Sequence, residues 1–294
     1  MLFTAMAVIW GIPYLLIRVA VRQLDPGVLV LIRTAPAALL LAPVMLWRRQ
    51  QRQLLANIGW IATFGVVEFG GPWYLMATSE RHITSSLTSL LICAVPLFSV
   101  IAQRVRQTEE HIGVRRLVGL SVGTVGVALL VGLGIHGGSA PWIGLMLIVA
   151  TCYALGPIIL ATKLQHVSGI TVTVGSTSIV AIAWIPWSIA HWPRHVSSET
   201  WASISVLSIV CTAGAFVVFY ELVKEVGSTR SVVVTYVNTA LAVVLGIALL
   251  HEPLSLGIII GFPLVLVGSI VATGRSVSTL DAELASDANA VINQ

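Results

Sequence analysis

Nearly every residue before position 275 belongs to one of ten apolar runs, and that pattern leaves few folds open. The first covers about 2–20, and the second leads from the Asp25-Pro26-Gly27 turn to Trp47. The others cover about 58–78, 86–103, 114–132, 142–162, 171–190, 202–223, 231–250 and 256–273. Each is close to the ~20 residues that a helix needs to cross the hydrocarbon core of a bilayer. In that medium backbone N–H and C=O groups must pair within the protein, so spanning segments are helices or closed barrels. Unbroken apolar runs of this length are helical, which predicts an all-α membrane protein with ten transmembrane helices. Only 10% of the residues are charged, against roughly 25% in a soluble domain. The first run lacks a basic leader and a small-residue cleavage site, so it is read as a helix and not as a signal peptide. The tail, 275–294, is polar and acidic and is expected to be disordered.

The chain is also internally repeated. A shift of 142 positions carries Glu110 onto Glu252, Gly119 onto Gly261, Val125 onto Val267 and Gly126 onto Gly268. Both copies read as an apolar helix, a short polar step ending in Glu, and a glycine-bearing helix. Both Glu residues interrupt apolar runs, and the shift is close to half the chain, so a duplicated unit is expected, 1–134 and 135–274.

Lys and Arg give the orientation. With both termini inside, the inner loops and tail hold eleven of them and the outer ends four, Arg18, Arg22, Arg81 and Arg194. That bias predicts cytoplasmic N- and C-termini and a cytoplasmic tail in a multi-pass cell-membrane protein. Five helices per unit is an odd number, so the two repeats are inverted, as in many secondary transporters. The net charge of +4 sits in these loops and reads as membrane orientation, with no nucleic-acid partner expected. Cys93, Cys152 and Cys211 all lie in apolar runs without CxxC spacing, which argues against disulfides and zinc.

WGIPYLLIRVAVRQLDPGVLVLIRTAPAALLLAP, with its Trp-Gly, Pro and Arg33, resembles the start of the EamA family in the drug/metabolite transporter superfamily. So does each Glu followed nine residues later by Gly and seven further on by Gly. The resemblance covers residues 1–274 and implies ten helices as two five-helix repeats, and export of small metabolites, including amino acids and nucleobase-like compounds, driven by proton exchange or by a gradient. The chain departs from the family at Asn238, where a proline matching Pro96 is usual, and in lacking a second-half counterpart of Arg33.

Candidate site residues come from breaks and buried charges. Trp10-Gly11-Ile12-Pro13-Tyr14 and Tyr153-Ala154-Leu155-Gly156-Pro157 put Gly, Pro and an aromatic at matching depths of the two halves. Such breaks are tolerated where they face protein or a wet cavity, and equally where a proline kink only serves packing. Trp73 and Tyr74, after Gly70-Gly71-Pro72, are expected to supply a stacking wall, with Tyr220 and Asn238 facing the same space. Arg33 and Glu68 are intramembrane charges. Each costs ~2.5–3.5 kcal/mol on the most lenient scale, so each needs a partner, a proton or water. Arg33 suits a structural tie. Glu68 suits function, because no acid matches it at the 142 shift, and its ionised form is costly enough that it should spend part of its time protonated. The glycines of runs five and ten suit close helix packing. Glu110 and Glu252 are read as caps at the starts of those runs, and Trp47, Trp60, Trp142, Trp187, Trp192 and Trp201 as an interfacial belt. His191 and His195 have the spacing of a metal pair, but Pro193 lies between them and no third ligand is evident.

These features predict a secondary transporter taking a small-molecule substrate between its halves, in contact with membrane lipid, as a monomer or a homodimer. No catalytic residue, metal or cofactor is expected. An intramembrane or lipid-modifying enzyme is the rival, and would need a cluster of polar residues at one depth where only Arg33 and Glu68 qualify.

Overall fold

A computed structural model describes residues 2–105, 114–134, 140–226, 231, 234–253 and 255–273. The expected tail and Glu110 lie outside the described residues. The described helices form ten spans. α1 is Leu2–Gly11 continued by Pro13–Ala20, α2 is Pro26–Trp47, and α3 is Ile58–Gly65, Val66–Gly70 and Gly71–Ser79. α4 joins Ser85–Ile92 to Val95–Val105, α5 is Val114–Gly134, α6 Ala140–Lys163 and α7 Gly169–Ala190. α8 is Ser198–Ser208, Ile209–Gly214 and Ala215–Val226, α9 is Val234–Leu250 and α10 Leu256–Thr273. Five of these, α2, α4, α6, α7 and α8, are long and apolar enough to cross a membrane, and α1, α5, α9 and α10 contain shorter apolar stretches.

The interruptions follow from particular residues. Pro13 divides α1 at Ile12. α4 breaks at Cys93–Ala94, just ahead of Pro96, whereas α9 runs unbroken through Asn238. Proline removes a ladder donor and clashes with the preceding turn, so this difference in sequence becomes a difference in backbone between the halves. α3 and α8 each contain a π turn, Val66–Gly70 and Ile209–Gly214, and the 142 shift nearly superposes them. In α3 the Gly71 N–H reaches back to the Val66 carbonyl, ahead of Pro72. In α8 the Thr212 hydroxyl donates to the Leu207 carbonyl at 2.7 Å. Single π turns inside α-helices commonly mark functional positions.

α1, α3, α4, α6, α8 and α9 surround the centre, with α2 against α7 and α5 against α10 at the sides. The α5–α10 pair is held by glycine, as expected. A Cβ on Gly126 would lie 2.6 Å from the Val265 backbone nitrogen, and one on Gly268 would strike the Gly123 backbone. Close approach of this kind substitutes for the hydrophobic drive that lipid cannot supply.

Polar contacts tie the halves together at both ends of the bundle. At one end Trp187 Nε1 donates to Asp25 Oδ1 at 2.8 Å, and the Ser197 N–H donates to Gln23 Oε1 at 2.8 Å. At the other, the Thr171 hydroxyl donates to Gln50 Oε1 at 3.0 Å, and His166 pairs with Asn57 at 3.0 Å. Glu252 does not cap α10. Its carboxylate crosses to the start of α4, because the turn after α9 directs it there.

Candidate functional site

The six central helices enclose a cavity of about 70 Å³, room for roughly five waters at ~10–15 Å³ of such volume each. α1 contributes Trp10, Pro13 and Tyr14, α3 contributes Glu68, Trp73 and Met76, and α4 contributes Ile92 and Val95. Their counterparts α6, α8 and α9 contribute Tyr153 and Pro157, Phe216 and Phe219, and Thr235 and Asn238. Arg33 enters from α2. Pro13 at the α1 break and Pro157 therefore line one space, which a repeat with inverted copies produces at its interface, but α6 does not break as expected and carries Pro157 inside a continuous helix.

Seven of the nine residues singled out from sequence meet here: Trp10, Tyr14, Arg33, Glu68, Trp73, Tyr153 and Asn238. Tyr74 and Tyr220 are not among the lining residues. Tyr74 stacks on Trp184 of α7, ring centres 4.8 Å apart at 24°. Tyr220 is 2% exposed, sits 6.0 Å from the Phe64 ring, and its buried hydroxyl has no partner. The reason is helical geometry. Consecutive residues differ in direction by about 100°, so with Trp73 and Phe219 on the cavity their neighbours point elsewhere. Phe216, Phe219, Met76 and Thr235 were not anticipated, because apolar residues and a lone Thr in an apolar run carry no signal of which face they occupy.

Six of the fifteen lining residues are aromatic. Trp10 of the first half lies 4.6 Å from Phe219 of the second, and Phe69 meets Phe216 edge-on at 4.5 Å. Two charges interrupt these walls. Arg33 is buried, its guanidinium 3.4 Å from the centre of the Trp73 ring. Its Nε donates to Thr212 Oγ1 at 3.0 Å, inside the α8 π turn, and Ser208 donates to its backbone carbonyl at 2.8 Å. The expected structural tie is therefore present, with the ring adding a cation–π attraction.

Glu68 stands in the middle of the α3 π turn and is equally buried. Its carboxylate lies against Gly156 of α6, where any Cβ would collide with Oε2. That oxygen has no hydrogen-bond partner. Among the described residues no ion pair joins Arg33 to Glu68. Two opposite charges on the wall of one cavity thus remain separate, each set against the second half of the chain. His191, the other sequence candidate, stacks on Trp187 at 4.2 Å at the bundle end. Among the described residues no three His, Cys, Asp or Glu side chains are grouped to hold a metal.

Known proteins share this organisation. The profile of the EamA-like transporter family matches residues 1–132 and again 140–274. The uncharacterized inner membrane transporter YedA of Escherichia coli (strain K12) is 24% identical over 282 residues, covering 90% of this chain and 88% of its own. The uncharacterized transporter YvbV of Bacillus subtilis (strain 168) is 22% identical over 288 residues, covering 94% and 92%. One solved crystal structure superposes with a TM-score of 0.69 over 92% of this chain and 95% of its own, at 18% identity, a likeness of fold alone. Two inverted units, a cavity between them and a profile that matches each unit in turn lead to one assignment: the chain belongs to the EamA-like transporter family, and is a membrane transporter.

Proposed function

We propose that this transporter exports small zwitterionic metabolites, apolar amino acids foremost, by alternating access coupled to protons. One observation carries the reading: the central cavity holds one cation and one acid that are not paired with each other, on walls that include six aromatic residues. An α-amino acid presents the complementary pair. Its carboxylate suits the terminal N–H groups of Arg33, since the hydrogen bond to Thr212 uses only Nε. Its ammonium suits Glu68, whose Oε2 lacks a donor. An apolar side chain then lies against Trp10, Phe216 and Phe219. Bound in this way, a ligand neutralises both buried charges at once. Rocking of one five-helix unit against the other would expose the cavity to each side in turn.

The basic bias of the loops supports cytoplasmic termini, which puts the Asp25 end outside and the Gln50 end inside. The test is counterflow in proteoliposomes with radiolabelled L-leucine and L-phenylalanine. Exchange of both is expected, with loss in Glu68→Gln and weakened binding in Arg33→Gln. Exchange of a non-zwitterion, such as an uncharged sugar or a simple amine, with none of any amino acid would overturn the reading.

A further inference from the structure

The Asp25 end of the bundle contains a buried acid that substrate binding leaves unused. Glu80 directly follows α3 and is 0% exposed, and neither of its carboxyl oxygens has a hydrogen-bond partner. Arg18 donates to its backbone carbonyl instead. Arg18 also donates to the Ile83 carbonyl, so it pins the short link that runs from Glu80 to Ser85 and Ser86, the residues that Glu252 holds. Arg18 and Tyr14 from α1, Arg33 from α2 and Glu252 are the charged and titratable groups near enough to act on Glu80 electrostatically.

Glu252 is its opposite in every respect. α9 ends at His251 in the left-handed region, φ 53°, and the Glu252 N–H closes back on the Gly246 carbonyl at 3.2 Å. This closure spans seven residues, one more than a Schellman turn, and it carries the Glu252 side chain across to α4. There Oε1 accepts from the Ser85 N–H and hydroxyl, both at 2.8 Å. Oε2 accepts from the Ser86 N–H at 2.9 Å and its hydroxyl at 2.6 Å. Gly246 leaves the room, since a Cβ there would lie 2.5 Å from Ser86 Oγ and 2.6 Å from Glu252 Oε2. Four donors and the positive end of a helix occupy the lone pairs of an ionised carboxylate. An ionised Glu80 on the link to the same helix start would add a second negative charge in a dry place with no donor, the costliest way to bury a carboxyl. A neutral Glu80 fits, so the latched arrangement calls for a proton on it.

We infer that Glu80 is the binding site of the coupling ion, a proton, and that the bond from Glu252 to the start of α4 is the latch it controls. This rests on the transport reading and orientation above. After substrate leaves outward, a proton from outside neutralises Glu80, Glu252 latches α4, and that end closes. With the inner end open, the proton departs toward the cavity, whose lining residues Tyr14 and Arg33 are electrostatic neighbours of Glu80. The charge left on Glu80 then disfavours the latch, and the outer end is free to reopen, with substrate aboard when it is present.

The test reads conformation without substrate. Asn238→Cys in the cavity is labelled from outside with a membrane-impermeant thiol reagent, in right-side-out vesicles, above the background of the native cysteines. Labelling is expected to fall as external pH drops from about 8 to about 6, by at most about tenfold per pH unit for a single proton. Adding Glu80→Gln should hold labelling low at both pH values, and Glu252→Gln should hold it high at both, which also shows that the low signal is not misfolding. This pattern without amino-acid counterflow would sink the substrate reading alone. Full pH dependence in Glu80→Gln overturns the inference, as does wild-type behaviour in Glu252→Gln, or labelling that follows Na⁺ at fixed pH and not pH itself.

Discussion

Thr212→Val isolates how Arg33 is held, without touching a charge. The Thr212 hydroxyl accepts from Arg33 Nε at 3.0 Å and donates to the Leu207 carbonyl at 2.7 Å, so it links α2 to the π turn of α8. Valine keeps the shape and removes both bonds. A hydrogen bond to a charged group is worth about 1.5–3 kcal/mol, or roughly ten- to a hundredfold in an equilibrium. Trp73 remains 3.4 Å from the guanidinium, and a desolvated cation–π contact of ~2 kcal/mol keeps Arg33 near its place. The lower end of the range is therefore expected, about a tenfold rise in the half-saturation concentration for a carboxylate-bearing substrate, with maximal exchange little changed. Thr212→Ser restores the hydroxyl and should recover most of the loss. The assay is concentration-dependent counterflow in liposomes holding equal amounts of each variant. Wild-type half-saturation in Thr212→Val would refute the reasoning, and Arg33 would then be held by Trp73 and its surroundings alone.

Three more predictions follow from contacts elsewhere. Gly268→Ala drives a methyl group into the Gly123 backbone, forcing α5 from α10, and should destabilise by about 1–3 kcal/mol as overpacked cores do. A thermal shift in detergent measures this, and an unchanged Tm would mean that the two helices are not pressed together. Gly246→Ala places a methyl group 2.5 Å from Ser86 Oγ, so it should open the Glu252 latch without altering charge and keep the Asn238→Cys label high in acid. A cytoplasmic reporter fused after Gln294 should be active, and activity of a periplasmic reporter alone would reverse the orientation argued from the basic loops.

Part of the site was legible because the inverted repeat is written in the chain. The prolines of WGIPY and YALGP sit at matching depths, and a cavity at the interface of the two copies brings them to one space. Trp10, Tyr14 and Tyr153 could be placed for that reason. Tyr74 and Tyr220 could not, because the rotation of α3 and α8 is fixed by their π turns and neighbours, and uniformly apolar helices show no preferred face. Glu80 had a signal that went unread. Like Glu68 it has no acid at the 142 shift, where Leu222 stands, and it adjoins an apolar run.

The sequence by itself determined the solvent, the helices and the duplication. These depend on the residues of each segment and on the bilayer's demand that backbone groups pair locally, which an apolar run about twenty residues long satisfies as a helix. Only the tertiary structure decided which charges meet. Arg33 finds Thr212 and Trp73 but not Glu68, and Glu252 caps α4, 166 positions away in sequence, while leaving α10 without it. Such pairings depend on which helices are neighbours and how each is rotated, and the packing of the two halves against each other sets both.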